Sequence, residues 1–443
     1  MVEGMARGTK SAAAYNSPVF RPAGGASGLS FDRKRVFQIC LLLALVAGAF
    51  RLPRLGTPAE LVYDEEFQVP GALDYLQGRL PRDMVHPPLA KLLTASSLYY
   101  LGPTPAAWRL PSALAGMLLA PAVFLLGRVV LRRERAALLA ATLMLLDGQA
   151  LVQSRLATTN SFGVLFQVAA AYLLLSAALA ERLPAARFLG AAAFMGMAVS
   201  TRWSSLPLMA CFALALVCIR RRRLLERREM LLCAAAGALI VAVYVASYGP
   251  FLAQGHTLGQ LVQLQRAMFE HHAASNAYHP YASRWYTWPW LVRPSLYYSH
   301  PPTAAFPWMV MVMAMGNPLV WWLSVPASLG ALAAGVWRRD PRPLFGAAAF
   351  FSAWLWWALS ARGLQFAHYF LEAVPYACLS LGFLLDRVWD GPLRWACRVY
   401  VALVALCFLH FYPVQAALPI SPALFYRHLF GHVYPWRWLR SWF

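Results

Sequence analysis

The feature that most constrains this sequence is a series of eleven apolar runs, each 15 to 25 residues long, separated by short polar segments. Hydrophobic residues make up 60% of the 443 residues and charged residues 13%, whereas a soluble domain averages about 25% charged residues. A single water-facing core cannot enclose so many apolar side chains, so we predict an all-α integral membrane protein. The predicted spans are 36–50, 107–131, 136–153, 161–180, 187–201, 204–219, 231–248, 318–337, 344–360, 369–386 and 395–411.

The placement of positive charge tests this threading. Lys and Arg concentrate on the cytoplasmic side of membrane proteins. With the N-terminus inside, 24 of the 39 Lys and Arg residues fall on the cytoplasmic side, including the dense runs at 132–135 and 220–223. All ten histidines fall on the outer side. We therefore predict a multi-pass protein of the cell (inner) membrane, with its N-terminus cytoplasmic and its titratable groups on the outer face.

The same threading divides the chain into regions. Residues 36–411 form the predicted membrane domain, residues 1–35 a disordered cytoplasmic tail, and residues 412–443 an outer C-terminal segment. Two long outer loops are predicted at 51–106 and 249–317. We expect the apolar stretch 89–101, in the first loop, to be a helix at the outer interface, because a further span would place the later arginine runs outside. The first span has features of both a signal peptide and an uncleaved anchor, and we favour the anchor.

Composition excludes other classes of protein. The net charge of +21 suggests nucleic acid, but the positive charge lies in short clusters between apolar runs, so no nucleic-acid partner is predicted. The seven cysteines lie within or beside apolar segments without a CxxC pair, which indicates neither a disulfide framework nor a zinc site. The histidines also lack close metal spacing. We predict no metal site and no cofactor, and the need for a divalent metal in the reaction stays open.

Three adjacent carboxylates open the first outer loop. Asp64, Glu65 and Glu66 follow Tyr63, and like charges so close raise one another's pKa. If the segment is helical, Asp64 and Glu65 point in different directions. One interpretation is a general base that accepts a proton from a hydroxyl group. The other is a solvated acidic turn that caps the next helix.

Basic residues at the outer ends of spans are candidate ligands for an anion. Arginine binds phosphate through a planar pair of donors, although each such residue can instead reach lipid headgroups. Two prolines after His86 predict an extended segment that holds His86 and Lys91 at the membrane surface. The candidates are His86, Lys91, Arg109, Arg155, Arg202 and Arg293.

Aromatic and buried acidic residues complete the set of candidates. The stretch 279–294, with Trp285 near its centre, is rich in aromatic rings that either form an interfacial belt or stack on sugars. Asp147 and Glu372 lie inside apolar runs. Carboxylates at the membrane midplane are typical of transporters, but both lie near span ends or polar neighbours (Arg155 and His368), which favours structural pairing.

Taken in order, these motifs resemble the protein O-mannosyltransferases, membrane enzymes of the GT-C fold that use a polyprenyl-phosphate sugar. The similarity covers most of residues 60–420. It rests on Asp64-Glu65, His86-Pro87-Pro88-Leu89-Ala90-Lys91, Arg109-Leu110-Pro111-Ser112, Asp147-Gly148, Val152-Gln153-Ser154-Arg155, the stretch 279–293, Gly316-Asn317-Pro318 with Trp321-Trp322, and His368-Tyr369-Phe370.

The resemblance implies a function and roles for residues. Asp64 is expected to be the catalytic base, with Glu65 beside it, and Arg109 and its neighbours are expected to hold the lipid phosphate. Asn160, Trp285, His368 and Tyr369 are expected to contact substrate. Two positions depart from the family: Asn160 stands where many members have Asp, and Arg202-Trp203 where many have Lys-Trp. The second outer loop is too short for the β-trefoil insertion of eukaryotic members, which indicates the bacterial type.

Together these observations predict an inverting glycosyltransferase. Its donor is a polyprenyl-phosphate sugar, with mannose favoured, and its acceptors are Ser or Thr hydroxyls of translocated proteins, with the secretion machinery as a delivering partner and membrane lipids as surroundings. A glycolipid or cell-wall glycan acceptor is an alternative with the same donor. A lipid or sugar transporter is a second alternative, which would need polar groups through the midplane.

Overall fold

The fold is described from a computed structural model and comprises residues 32–275, 278–427 and 433–442. Residues 1–31 of the predicted tail and part of the C-terminal segment lie outside these residues, and residues 33–35, predicted as part of the disordered tail, belong to the first helix. The helices are α1 Arg33–Arg51, α2 Glu65–Leu76, α3 Leu89–Leu101, α4 Pro105–Leu131, α5 Glu134–Leu145, α6 Gly148–Arg155, α7 Asn160–Ala178, α8 Ala185–Val199, α9 Leu206–Arg220, α10 Arg227–Ser247, α11 Gly249–Ala253, α12 Leu258–Ala274, α13 Pro318–Trp337, α14 Pro341–Leu355, α15 Val374–Val388, α16 Arg394–Gln415 and α17 Pro422–Phe425.

The predicted spans all coincide with helices. Within the described residues, six helices are long and apolar enough to cross a membrane, and a seventh span results if α5 and α6, which meet at 56°, are taken together. The remaining predicted spans correspond to α1, α8, α14 and α15, which do not meet this criterion of length and hydropathy. The protein is therefore a multi-pass helical membrane protein, with eleven spans still a prediction. Leu231 and Val241 on α10 are each 61% exposed, as expected of a lipid-facing helix.

Three spans begin or end in 3-10 turns instead of running on as α-helix. These turns are Trp203–Ser205 before α9, Trp356–Ala358 after α14, and Ala367–Glu372 before α15. Residues 369–373, predicted as the start of a span, are therefore not α-helical. The reason is local: Pro375 favours the first turn of α15, so the helix starts only at Val374. All three turns lie at the functional site described below.

Ion pairs join the arginine-rich helix ends on one face of the bundle. Arg35 at the start of α1 pairs with Glu134 at the start of α5 (2.5 Å). Arg135 on α5 pairs with Asp386 at the end of α15 (2.6 Å), and Arg387 pairs with Asp340 before α14 (3.1 Å). The arginine clusters that the sequence assigns to one side of the membrane therefore lie on one face of the helix bundle.

The opposite face carries the two long loops. Helices α2 and α3 pack together in the first loop, and α3 is the helix predicted at 89–101. The second loop contains α11, α12 and the antiparallel pair β1 Ser295–His300 and β2 Val310–Ala314, in which Ser295 lies opposite Ala314. No larger sheet occurs in the described part of the chain, so the loop holds a small α/β insertion instead of a β-trefoil.

Candidate active site

Asp64 lies at the N-terminal end of α2 with its carboxylate unpaired. Tyr63 before it has a positive φ of 55°, a conformation that costs a non-glycine residue energy and is often found at functional sites. The Asp64 side chain forms neither a cap nor any other hydrogen bond with the described residues, so it is not the helix-capping acid of the alternative interpretation. Burial raises its pKa to about 6, an effect partly offset by the positive charges of Arg202 and Arg362.

Glu65, the next residue, is completely buried. Its two carboxylate oxygens accept hydrogen bonds from Arg109 Nε (2.8 Å) and Nη2 (2.7 Å). They also accept from the backbone N–H groups of Val62 (3.0 Å) and Ala157 (2.8 Å). Asp64 and Glu65 do diverge, as the helical spacing predicted. Because every contact of Glu65 is made within the protein, we interpret it as a structural brace and not as a second catalytic acid.

Arg109 is the other half of this brace. Besides its two bonds to Glu65, Nη1 donates to the carbonyls of Leu55 (3.1 Å) and Pro58 (2.7 Å), and Nη2 to that of Glu60 (3.1 Å). All five N–H donors of a guanidinium group are thus engaged, and the side chain has no exposed surface. The geometry corrects the prediction for Arg109, which has no donor left for a lipid phosphate.

Arg155 and Lys91 are likewise engaged inside the protein. Arg155, 5% exposed, donates through Nη1 to the carbonyl of Arg51 (2.7 Å) and through Nη2 to that of Arg54 (3.1 Å), which satisfies the C-terminal end of α1. The Lys91 ammonium pairs with the Asp83 carboxylate (3.2 Å) and with its carbonyl. Burial lowers the pKa of Lys91, and Asp83 opposes the shift. Both predictions of phosphate binding are corrected to structural roles.

A cavity of about 120 Å³ is lined by both Arg202 and Arg362, and we call it the Arg202–Arg362 cavity. Asp64 does not line this cavity, but it lies close enough for the charges of Arg202 and Arg362 to lower its pKa, as they lower that of the lining residue His86. Its lining includes His86, Arg202, Ser204, His272, Trp357 and Arg362. The lining residues come from the first loop, the turns Trp203–Ser205 and Trp356–Ala358, the segment 360–362 and α12, so tertiary structure alone assembles it.

Arg202 is held in this cavity by neutral and acidic partners. Its Nη1 donates to Asn160 Oδ1, and Asn160 in turn donates to Gln153 Oε1 (2.7 Å). Its Nε lies 3.5 Å from the Glu372 carboxylate. The asparagine at position 160 therefore orients Arg202 without neutralising it. This contact gives the departure at position 160 a physical meaning: Arg202 keeps more of its positive charge for a ligand.

Arg362 was not singled out from the sequence. Its Nη1 lies 2.9 Å from His272 Nδ1, and its Nε donates to the carbonyl of Leu364 (2.9 Å). An outward arginine in the short segment between two predicted spans meets the criterion already applied to Arg155 and Arg202, so the sequence did carry a signal. Its partner His272 is one of the histidines for which the sequence predicted no metal site and no other role.

His272 connects Arg362 to the first outer loop. Its Nε2 lies 2.7 Å from the carbonyl of Val85. A carbonyl only accepts and a guanidinium only donates, so the ring is neutral with its proton on Nε2. Burial and the charge of Arg362 lower the pKa of His272 to about 4. The neighbouring His86, whose ring centroid is 5.1 Å away, has a pKa well below its usual value for the same reasons.

Tyr369 and His368 form an aromatic wall of the site. The Tyr369 ring stacks on Trp357 with centroids 4.6 Å apart, and the guanidinium carbons of Arg202 and Arg362 lie 5.0 and 5.5 Å from its centroid. His368 lies edge-on to Tyr63, with centroids 5.9 Å apart. These two predicted residues therefore come together with Asp64, Arg202 and the rest of the cavity.

Trp285 and Arg293 lie elsewhere. Trp285 packs against Trp354, with centroids 5.6 Å apart, and does not line the Arg202–Arg362 cavity. Arg293 lines a second cavity of about 530 Å³, which we call the Arg293 cavity. Neither residue therefore lines the Arg202–Arg362 cavity, and the prediction that they contact substrate stays a prediction. The Arg293 cavity is lined by Tyr278, His279, Ser283, Arg284, Arg293 and Leu364, among others.

The two acids inside apolar runs are paired, although not with the partners expected. Asp147 accepts from the indole of Trp321 (2.8 Å) and from the backbone N–H of Asn317 (3.2 Å). Glu372 accepts from Ser204 Oγ (2.5 Å) and faces Arg202. Asp147 and Asn317 belong to two of the motifs in the resemblance, which thus join α6 to α13 and have a structural role.

Comparison with known proteins agrees with this architecture. Residues 85–248 match the family described as dolichyl-phosphate-mannose-protein mannosyltransferase, and residues 257–442 match the C-terminal four-transmembrane region of protein O-mannosyltransferase. The chain is 27% identical to the polyprenol-phosphate-mannose–protein mannosyltransferase of Mycolicibacterium smegmatis, over 93% of this chain and 94% of the relative. It is 28% identical to that of Mycobacterium tuberculosis, over 93% and 92%.

Solved structures show the same fold. The Pmt1-Pmt2 protein O-mannosyltransferase complex of S. cerevisiae, bound to the sugar donor, superposes with a TM-score of 0.73 at 14% identity, over 86% of this chain and 90% of that chain. ArnT from Cupriavidus metallidurans gives a TM-score of 0.58 at 17% identity, over 87% and 66%. With two family regions matched along most of its length, the chain belongs to the protein O-mannosyltransferase family, membrane glycosyltransferases of the GT-C fold.

Proposed function

We propose that this protein transfers mannose from a polyprenyl-phosphate carrier to Ser and Thr hydroxyls of polypeptides. The mycobacterial relatives, which are polyprenol-phosphate-mannose–protein mannosyltransferases, support this donor and this class of acceptor. The reaction takes place at the outer face of the cell membrane, with the N-terminus in the cytoplasm and polypeptides supplied by the secretion machinery. The catalytic loop is residues 51–106 of a membrane domain at 36–411, followed by an outer-side segment at 412–443.

One observation carries the proposal: Asp64 is an unpaired carboxylate in the electrostatic field of two guanidinium groups. A general base needs a free acceptor atom for the proton that it takes, and it works best when its pKa lies near the working pH. Asp64 meets both conditions, with a pKa of about 6. Arg202 and Arg362 provide the positive charge that a departing phosphate needs.

The proposed chemistry is a single inverting displacement. The acceptor hydroxyl transfers its proton to the Asp64 carboxylate while its oxygen forms a bond to the anomeric carbon of the sugar. The bond from that carbon to the phosphate oxygen breaks, and the electron pair leaves with the polyprenyl phosphate. Arg202 and Arg362 bind the phosphate oxygens and stabilise the charge that develops on them. Solvent then removes the proton from Asp64.

The residues around this core position it. His272 orients Arg362, Asn160 orients Arg202, and Tyr369 lies beneath both guanidinium groups. The Glu65–Arg109 pair holds the start of α2, so the adjacent Asp64 carboxylate stays directed away from it. His86 is uncharged because its pKa is lowered, so it lines the cavity without repelling the two arginines.

The test is transfer from a radiolabelled donor. Membranes containing the protein are incubated with polyprenyl-phosphate [³H]mannose and acceptor polypeptides, and the label is then followed into protein. We expect label that protease digestion releases as glycopeptides and that β-elimination releases as mannose. The Asp64→Asn variant serves as the matched control.

Other outcomes would contradict the proposal in different ways. Label that resists protease and extracts with organic solvent or cell-wall polymer would identify a glycan acceptor. Label that crosses the membrane while still attached to its carrier would identify a transporter. Normal protein labelling by Asp64→Asn would leave the function intact and remove Asp64 from the role of base.

A further inference from the structure

The Arg293 cavity lies next to the Arg202–Arg362 cavity and has no role in the scheme above. A single backbone segment separates them: Arg362 lines one, and Gly363 and Leu364 line the other. The boundary is fixed by hydrogen bonds from the N–H of Leu364 to the carbonyl of Ser275 and from the N–H of Ser283 to the carbonyl of Gln365, both 2.9 Å. The two spaces are therefore neighbours with a defined common wall.

The Arg293 cavity also reaches the segment that carries Asp64. His279 lines it, and the His279 ring lies edge-on to Tyr63 with centroids 6.5 Å apart. Tyr63 directly precedes Asp64. One ring, that of His279, thus separates this cavity from Tyr63, the neighbour of the proposed base, whereas Arg202 and Arg362 line the other cavity.

Its positive charge is uncompensated. Arg284 and Arg293 line the cavity, and neither forms an ion pair with a carboxylate of the described residues, nor does any Asp or Glu line the space. Arg293 Nε is buried without a hydrogen-bond partner among the described residues, and the guanidinium carbon lies 6.0 Å from the centroid of the Tyr281 ring. His279 adds no charge, because burial lowers its pKa.

The size of the cavity suits a peptide segment. Its volume of about 530 Å³ is more than four times that of the Arg202–Arg362 cavity and falls within the range of roughly 300–1,000 Å³ found for ligand sites. Two unpaired guanidinium groups in such a space favour a carboxylate, which they bind through charge-assisted, bidentate hydrogen bonds.

We propose that the Arg293 cavity is the acceptor subsite and that Arg284 and Arg293 bind an acidic side chain close to the Ser or Thr that is modified. This inference rests on the proposed function and names a preference within its acceptors. The alternative ligand with the same charge is the headgroup of an anionic lipid. The position beside Tyr63 and Asp64, where the acceptor hydroxyl has to arrive, favours the polypeptide.

The experiment compares three synthetic peptides that differ only beside a single threonine. The flanking residues are Asp in the first peptide, Asn in the second and Lys in the third. For the wild-type protein we expect kcat/KM to decrease in that order, by about three- to tenfold from Asp to Asn, the effect of a partly shielded charge pair. In Arg293→Glu we expect the order to reverse, with transfer to the Asn peptide retained.

Arg82→Glu is the matched control. Arg82 is an exposed arginine of the first outer loop that lines neither cavity, and the substitution changes the net charge by the same amount. We expect it to keep the wild-type order of peptides. If Arg293→Glu fails to fold, Arg284→Glu and Arg293→Gln test the same point. In these variants we expect the preference for the Asp peptide over the other two to be smaller or absent.

Each remaining outcome has a definite meaning. Equal transfer to all three peptides by the wild type, or the same order in Arg293→Glu and Arg82→Glu, overturns the inference and leaves the proposed function standing. Absence of transfer to every peptide overturns the proposed function itself. If wild-type activity instead depends on phosphatidylglycerol in phosphatidylcholine vesicles, and Arg293→Glu removes that dependence without changing the peptide order, the cavity binds lipid and the inference fails.

Discussion

Two neighbouring carboxylates, Asp64 and Glu65, are in opposite situations. Glu65 has four donors around it and no exposed surface. Asp64 has none, and its pKa is raised because burial is only partly offset by Arg202 and Arg362. Arg109 and Arg362 differ in the same way: all five N–H donors of Arg109 are engaged, whereas Arg362 uses Nε and Nη1 for contacts with Leu364 and His272. The lesson is that a charged residue is available for chemistry only when the fold leaves its polar atoms unpaired.

The largest effect on activity is expected from Asp64→Asn. The amide cannot take the proton of the acceptor hydroxyl, so kcat should decrease by about 10²- to 10⁴-fold. The fold should be kept, because the Asp64 side chain makes no hydrogen bond with the described residues. The measurement is initial-rate mannosyl transfer, together with a size-exclusion profile in detergent. Activity close to that of the wild type would end the assignment of the base.

The same change of acid to amide at the adjacent position should act on stability. Glu65→Gln leaves the buried Arg109 guanidinium without its counter-charge, and breaking a buried pair in this way costs about 3–5 kcal/mol. We expect a lower yield of folded protein and a lower Tm in detergent. Whatever fraction folds should keep much of its kcat. A stable but inactive Glu65→Gln protein would show that Glu65 takes part in catalysis after all.

Arg362→Gln tests the guanidinium that the sequence analysis missed. Removal of one donor that stabilises developing charge typically lowers kcat by roughly 10²-fold or more. We expect a loss of that order in Arg362→Gln, measured by single-turnover transfer from a saturating donor. Arg82→Gln provides the control for a surface arginine. An unchanged kcat would leave Arg202 as the sole candidate among the predicted arginines.

The pH dependence follows from the raised pKa of Asp64. Below about pH 6 the carboxyl group is protonated and cannot act as a base, so kcat/KM should decrease with falling pH with a slope of one. The stability of the fold depends on the ionisation of Asp64 in the opposite direction and decreases as pH rises. Because the folded-state pKa lies above the unfolded value, ionisation of Asp64 destabilises the fold as pH rises from about 4 to above 6. Asp64→Asn should therefore raise Tm at pH 7.5 and change it little at pH 4. A Tm difference independent of pH would contradict this.

The smallest effect is expected at His272, which acts through Arg362. His272→Asn keeps an acceptor near the position of Nδ1, which contacts Arg362, and His272→Gln keeps a donor near that of Nε2, which contacts Val85. We expect His272→Gln to lose about tenfold in kcat, as expected when one hydrogen bond to a charged group is removed, and His272→Asn to lose less. The apparent pKa of transfer should change in His272→Gln, because Arg362 acts on Asp64. Equal losses in both variants would indicate a general packing defect.

Much of the architecture could be predicted from the sequence because it depends on local patterns. Apolar runs indicate where helices cross lipid, and the arginine clusters indicate which ends share a face. The existence of helix α3 and the divergence of Asp64 and Glu65 were predicted in the same way. The 3-10 turns at the site were not predicted, because apolar composition is similar in a 3-10 turn and in the α-helix that continues it.

The assignment of roles to the arginines could not come from the sequence. Arg109, Arg155, Arg202 and Arg362 are all outward arginines near span ends, and nothing in their spacing distinguishes them. Arg109 is saturated by carbonyls that lie 49 to 54 residues away in the chain. The sequence by itself determined a helical membrane bundle with an acidic first loop. Only the tertiary structure decided which charges remain unpaired, because hydrogen-bond partners that come from distant segments meet only after folding.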